Sequence, residues 1–268
     1  MTAEEKREFF EDQGYLVLED FMRVEEVAAC SIEIDRLHGF AASLEVDDPR
    51  RRNFQIEPYA ATKQEAGKPV LRKIEETRRY SDIFRDLAEH PGLTDLVRTL
   101  LGDDLLLFRS TLMLKPARHG SVHAFHQDSA YWPMDPPSLV TVSIALSDSS
   151  EENGCIQVIP ESHKWGMQDW GLIAQDKDKT LTERADIDLH RLTQVPLKAG
   201  SALLFHSLVV HGSGANNSPQ SRHTALYAYF PPTVKYRPKE GGAPTMTVPV
   251  IHGLDGRSEL TLTADEAA

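Results

Sequence analysis

Residues 123–132, HAFHQDSAYW, bring three metal-binding side chains, His123, His126 and Asp128, into one short stretch. A strand places alternate side chains on one face, so His126 and Asp128, two apart, can point the same way. His123 is three residues from His126 and, on a continuing strand, points away. The spacing therefore favours the pair His126/Asp128 over His123/His126. Imidazole with carboxylate suits a borderline divalent ion, and two histidines with one carboxylate form the facial set of non-haem Fe(II) oxygenases. A His-x-Asp alone is a weak signal, expected about once by chance in a chain with 11 histidines. A second histidine has to come from elsewhere.

The remaining candidates are His163, His190, His206, His211, His223 and His252. In SALLFHSLVVHGSG, His206 and His211 are five apart, so a single strand turns only one of them inward. His211 is the expected ligand, because Gly212-Ser213-Gly214 follows at once and ends the strand there. His206, in mid-strand, is expected to be packed or hydrogen-bonded. Arg222 lies eleven residues past His211, across a turn rich in Gly, Asn and Pro. A hairpin of that length would set it beside His211. Arginine is suited to bidentate carboxylate recognition. A metal next to a buried arginine fits 2-oxoglutarate, which chelates at one end and forms an ion pair at the other. The bland alternative for Arg222 is a charge on an exposed strand edge.

These side chains need a framework, and the chain supplies two textures. Residues 2–13 read as a helix started by the Thr2/Glu5 capping-box spacing, followed by a short strand at Tyr15–Leu18. Residues 24–38 read as an amphipathic helix with Val27, Ile32, Ile34 and Leu37 on one face against Glu25, Glu33 and Arg36. Residues 81–100 look helical with a break at His90-Pro91-Gly92, and the run Arg50-Arg51-Arg52 reads as a solvated loop. From residue 104 onward short β-type runs alternate with turn residues, as in a sandwich or barrel. The expectation is one domain spanning 1–268: a mainly helical support over 1–100 packed outside a β core over 104–255, with a polar insert at 165–190 as candidate lid. Asn153-Gly154 is a turn signal, and Cys155 reads as core packing.

The motifs taken together resemble the phytanoyl-CoA dioxygenase family. The matching pieces are HQDSAYWP at 126–133, ALSDSSEENGCIQVIPESHKWG at 145–166 and LLFHSLVVHGSGANNSPQSRHTALYAYF at 203–230. FFEDQGYLVLEDFMRVEEV at 9–27 and VLRKIEE at 70–76 belong to the same resemblance, which covers nearly the whole chain. It implies a mainly β fold with flanking helices, the double-stranded β-helix or cupin-like jelly roll. It implies Fe(II), 2-oxoglutarate and O2 as cofactor and co-substrates, with His126, Asp128 and His211 as iron ligands. By the same resemblance Arg222 and Ser213 hold the far carboxylate of 2-oxoglutarate and Lys73 is a further co-substrate contact. Gln127 belongs to the motif, although strand parity turns it from the metal. Ser143 stands where some relatives carry a tryptophan lining the co-substrate pocket. Asp128 is a carboxylate, which argues against the halogenase variant.

The bulk numbers narrow the partners. The 268 residues are 40% hydrophobic and 26% charged, as in an ordinary globular protein. Lys and Arg total 29 against 41 acids, a net charge of −12, which repels nucleic acid on average. No apolar run is long enough to span a membrane, and MTAEEKREFF lacks the apolar stretch of a signal peptide. With two cysteines, Cys30 and Cys155, a reduced cytoplasmic setting is expected. The expected partner is a small molecule (a natural-product intermediate, a polar metabolite or an acyl thioester) oxidised at an unactivated C–H bond with release of succinate and CO2. The competing readings are a jelly-roll zinc hydrolase or isomerase using the same ligands, and a non-catalytic small-molecule binding protein.

Overall fold

Helix α1 (Ala3–Gln13) opens on the capping box read from the sequence: Glu5 N donates to Thr2 Oγ1 at 3.2 Å and Thr2 N to Glu5 Oε2 at 2.7 Å. It stops at Gly14, whose φ of +79° is the left-handed position that glycine enters without steric cost. Strand β1 (Tyr15–Leu18) follows, then α2 (Val24–Ser43), longer than expected. Its buried face is also rotated from the one expected. Ile32 is 72% exposed and Glu33 is buried. The glutamate tolerates burial because Arg36 grips both carboxylate oxygens, at 2.8 and 2.6 Å. Strands β2 (Phe54–Ile56) and β3 (Leu71–Glu75) pair with each other. Helix α3 (Asp82–Ala88) is capped by Ser81 Oγ, and α4 (Pro91–Leu101) starts at the His-Pro-Gly break, with His90 Nδ1 accepting from Gly92 N.

The computed structural model describes residues 1–57, 70–168 and 189–264. Most of the insert expected as a lid, residues 169–188, lies outside the described residues. From Leu105 the regular elements among the described residues are mainly strands: β4 (Leu105–Lys115), β5 (His123–His126), β6 (Met134–Asp135), β7 (Val140–Ala145), β8 (Ile156–Val158), β9 (Thr193–Val195), β10 (Ala202–His206), β11 (His211–Ser213), β12 (Arg222–Phe230), β13 (Lys235–Tyr236), β14 (Thr245–His252) and β15 (Glu259–Thr263). Among the described residues these strands and β1–β3 make a nine-stranded sheet, in the order β1-β10-β7-β12-β4-β14-β15 with β3 on β4 and β2 on β3. A four-stranded sheet, β5-β11-β8-β9, faces the site, and β6 pairs with β13. Every ladder is antiparallel. Along the chain β4, β7, β10 and β12 fall in the large sheet while β5, β8, β9 and β11 fall in the small one. That exchange between two sheets builds the double-stranded β-helix expected from the resemblance.

Strand alternation gives the large sheet two chemically different faces. One carries Leu112, Leu114, Val142, Ile144, Leu204, Ala225, Tyr227 and Tyr229 and packs beneath Ile34, Leu37, Phe84, Leu93 and Val97 of the helices. The two tyrosines are tied down as they are buried, donating to Phe84 O at 2.8 Å and Ala88 O at 2.7 Å. The other face follows from the ladder register. Lys115, Met113, Thr111 and Arg109 on β4 stand opposite Arg222, Thr224, Leu226 and Ala228 on β12. Thr224, Leu226 and Ala228 in turn stand opposite Ala145, Ser143 and Thr141 on β7. This face sets Thr, Ser and Ala beside the long side chains of Met113, Leu226, Lys115, Arg109 and Arg222, and it lines the interior of the barrel.

Candidate active site

His126 ends β5, Asp128 starts a single 3-10 turn (Asp128–Ala130), and His211 opens β11. The ladder aligns His126 directly with His211. Asp128 Oδ1 lies 3.5 Å from His126 Nε2 and 3.8 Å from His211 Nε2. The three groups offer ligand atoms that all lie within 4.8 Å of one another. Each histidine hydrogen-bonds its other nitrogen to a backbone carbonyl: His126 Nδ1 to Ala124 O at 2.8 Å, His211 Nδ1 to Val209 O at 3.0 Å. A carbonyl only accepts, so the proton sits on Nδ1 and the Nε2 lone pair is turned to the centre. Thr141 Oγ1, from the facing sheet, donates to Asp128 Oδ2 at 2.7 Å and leaves Oδ1 toward the histidines.

The electrostatics agree with a cation-binding set. Burial by itself would raise the Asp128 carboxyl, but His211, His126 and the Thr141 hydroxyl outweigh it and hold it at about 2. Burial pushes His211 down to about 4, with the charge on His126 adding to the effect. Burial also acts downward on His126, but the bond and charge of Asp128 win and raise it. The result is an ionised carboxylate between two imidazoles, a donor set suited to a borderline divalent cation.

His211 is the histidine expected, for a different local reason. The stretch 201–214 is not one strand: β10 ends at His206, a turn covers 207–210, and β11 begins at His211 in the other sheet. His206 is held in that turn, its Nδ1 accepting from Leu208 N at 3.1 Å. The expectation for His123 is corrected too. Between β5 and β11 the register steps three residues on one strand against two on the other, His126/His211 to His123/Ser213. This bulge resets the alternation, so His123 shares the inner side with His126. There it stays neutral, its pKa driven down by burial and by Lys115 and Arg72, and it bonds Arg72 Nη2 at 3.2 Å.

Arg222 is buried at the head of β12, but not across a hairpin from His211. The two strands belong to opposite sheets, and closure of the barrel brings them together. Its Nη1 donates to Gly154 O, while its buried Nε has no partner. Burial pushes its pKa down to about 10. A small cavity beside it is lined by Ser143, Ala145, Ile156, Val195 and Thr224. Ser143 therefore does face this pocket, and Ser213, two residues beyond His211, is buried on the same face of β11. Lys73, on β3, is ion-paired to Glu75 at 2.7 Å, and its charge reaches His126. Gln127 faces elsewhere: it is fully buried, its amide donates to Gly166 O at 2.9 Å and Leu208 O at 2.8 Å, and it accepts from Gln168 N at 2.9 Å. It pins the segment before the insert to the turn before His211.

Two residues escaped the sequence reading. Thr141 had no signal beyond lying in a β run. Lys115 did have one, a lysine closing a long apolar strand just before Pro116. It is buried on the rung of Arg222, donates to Ser121 O at 2.8 Å and to Gly214 O, and is pushed down to about 7 by burial and by Arg222. Tyr131 meets the His126 ring edge-on at 5.7 Å, whereas Trp132 packs against Phe108 at 5.2 Å in a hydrophobic cluster with Met134, Leu139 and Phe230. Arg50 pairs with Asp48, Arg79 with Glu76 and Arg78 with Glu89.

Known proteins carry the same design. The family model described as phytanoyl-CoA dioxygenase (PhyH) matches residues 10–224. A probable alpha-ketoglutarate-dependent hypophosphite dioxygenase of Stutzerimonas stutzeri is 28% identical over 233 residues, spanning 85% of this chain and 78% of that protein. An ectoine dioxygenase of Nocardia farcinica is 28% identical over 236 residues, spanning 82% of this chain and 75% of that protein. Among solved structures, EctD from S. alaskensis with 2-oxoglutarate and 5-hydroxyectoine superposes with a TM-score of 0.71 at 26% identity, covering 91% of this chain and 82% of that one. The epimerase SnoN from nogalamycin biosynthesis shares the fold, with a TM-score of 0.70 at 23% identity over 99% of this chain and 95% of that one.

Proposed function

The chain belongs to the phytanoyl-CoA dioxygenase family, and we propose that His126, Asp128 and His211 are the iron ligands of its active centre. It is an Fe(II)- and 2-oxoglutarate-dependent dioxygenase that acts with O2 on a small molecule. The observation that carries the site assignment is the convergence of three ligand atoms within 4.8 Å, with both imidazole lone pairs set by bonds to backbone carbonyls. A bound ferrous ion supplies oxidation of an unactivated C–H bond, driven by conversion of 2-oxoglutarate to succinate and CO2.

The protein's own groups divide the rest of the work. Thr141 fixes which oxygen of Asp128 turns to the centre. Arg222, with its unpartnered Nε, and Lys115 on the next strand, poised at about 7, are two buried basic groups with no carboxylate in ion-pair contact among the described residues. Leaving such charges unmatched is costly, and the distal carboxylate of 2-oxoglutarate matches them. Ser213 adds a hydroxyl on the same side, Ser143 forms part of the wall, and Lys73 stands near the metal end of the co-substrate. The same two basic groups favour this reading over a zinc hydrolase, which has no need of an anion site deep in the barrel. We place Gln127 outside the co-substrate shell, because backbone groups occupy its amide.

The test is anaerobic addition of Fe(II) and then 2-oxoglutarate, followed by the visible charge-transfer band. The band should form in the parent, vanish in His126→Ala and weaken at least tenfold in apparent 2-oxoglutarate affinity in Arg222→Ala. A folded parent that binds Fe(II) but gives no band with 2-oxoglutarate would sink the assignment.

A further inference from the structure

We propose that the primary substrate carries an oxyanion, a carboxylate or a phosphorus oxyacid group, and that Arg109 at the open end of the barrel receives it. This inference rests on the active-site reading above and names a substrate class for it. Arg109 stands on the inner-face rung Arg109–Ala228–Thr141, running from β4 through β12 to β7. Thr141 is the residue bonded to Asp128. Neighbouring strands lie about 4.8 Å apart, so Arg109 starts roughly 10 Å across the sheet from Thr141. The residue between them, Ala228, is buried in the hydrophobic cluster that holds Trp132 and Phe230.

The local backbone aims this side chain. β4 and β12 lose register between Arg109/Ala228 and Leu107/Tyr229, which leaves Phe108 as the extra residue of a bulge. Bulges bend a strand and redirect a side chain. Here the guanidinium lies over the Phe108 ring, 5.7 Å from its centroid, and Phe108 packs edge-on against Trp132 at 5.2 Å. Tyr131, next in the chain, touches His126. An aromatic wall therefore runs from the metal-binding histidine to Arg109, offering an apolar surface with a cation at its far end.

The charge on Arg109 is not spent within the protein. It is exposed and forms no ion pair among the described residues. The acid it acts on, Glu75, is already bonded to Lys73 Nζ at 2.7 Å. Arg50, Arg79 and Arg85, by contrast, each hold an acid at 2.9 Å or closer. In a chain of net charge −12, an uncommitted arginine at the rim of the catalytic barrel is the group that selects an anionic ligand and orients it toward the centre.

The experiment compares matched probes on anaerobic protein loaded with Fe(II) and 2-oxoglutarate. Benzoate, 3-phenylpropanoate and phenylphosphonate are tested against benzamide and 3-phenylpropanamide by equilibrium dialysis, in the parent, Arg109→Gln and Arg109→Lys. At least one oxyanion should bind tenfold or more tightly than its amide. Arg109→Gln should abolish that preference, and Arg109→Lys should keep part of it. The proposal is overturned if no oxyanion binds, if the preference persists in Arg109→Gln, or if Arg109→Gln loses the 2-oxoglutarate band. The last result would put Arg109 on the co-substrate instead. A parent without that band refutes the active-site reading, while a parent with the band but no oxyanion preference refutes only the substrate class.

Discussion

At the scale of single residues, Arg222 has on its rung a lysine that has lost its usual basicity. Lys115 sits at about 7 because burial and the charge of Arg222 disfavour its protonated form. Around it Arg222, at about 10, stays charged near neutrality, while burial keeps Cys155 and His123 neutral. A carboxylate bound beside Lys115 favours the ammonium form, so binding above pH 7 draws a proton from solution. Affinity for 2-oxoglutarate should therefore be greatest below about 7 and weaken as pH rises from 7 to 8.5. Calorimetry in two buffers of different ionisation enthalpy should register proton uptake at pH 8. Lys115→Met should bind more weakly and show neither the slope nor the uptake. An unchanged slope in that variant would remove Lys115 from the co-substrate site.

At the scale of elements, the proposed metal ligands depend on how closely β11 lies against β5. Gly212 makes that approach possible: a Cβ there would stand 2.9 Å from His123 O and 3.1 Å from Phe125 Cδ1. Its φ is not in the left-handed region, so space, not conformation, demands the glycine. Gly212→Ala should push β11 away from β5, costing about 1–3 kcal/mol of stability. The same shift separates His211 from His126, so Fe(II) affinity should fall by at least about tenfold, read by titration beside a denaturant curve. Full metal affinity in a destabilised Gly212→Ala would show that the strand spacing is not what positions the ligands. This element also marks the limit of sequence reading. Alternation along HAFHQD put His126 and Asp128 together and sent His123 away, but the bulge against β11 turned His123 back inward. In α2 the apolar period located the helix, while the Arg36–Glu33 pair, invisible in a hydrophobic pattern, rotated its buried face.

At the scale of the whole molecule, the protein must attract an anionic co-substrate against its own net charge of −12. The long-range field repels a dianion, while the buried Arg222 and Lys115 proposed to hold it act at short range. Salt screens the first much more than the second, since the Debye length shrinks to about 8 Å at 0.15 M. The association rate of 2-oxoglutarate should therefore rise as ionic strength increases from 20 to 150 mM, in stopped-flow traces of the charge-transfer band. A rate that falls with salt would mean that a local positive field, centred on Lys73, Arg72 and Arg109, dominates the approach. Among the described residues no helix is long and apolar enough to cross a membrane.

The sequence by itself determined the ligand types, the pair two residues apart, the arginine and the alternation of short strands with turns. Each of these is carried by residues near one another in the chain, where period and turn chemistry act directly. Only the tertiary structure decided that β10 and β11 separate into different sheets, that Arg222 reaches the pocket by barrel closure, and that Thr141 holds Asp128 from across the barrel. It alone put Lys115 beside Arg222 and Arg109 on the Thr141 rung. The reason is geometric. Which residues share a rung depends on how distant strands register, and a single bulge in a ladder shifts that register in ways local periodicity does not encode.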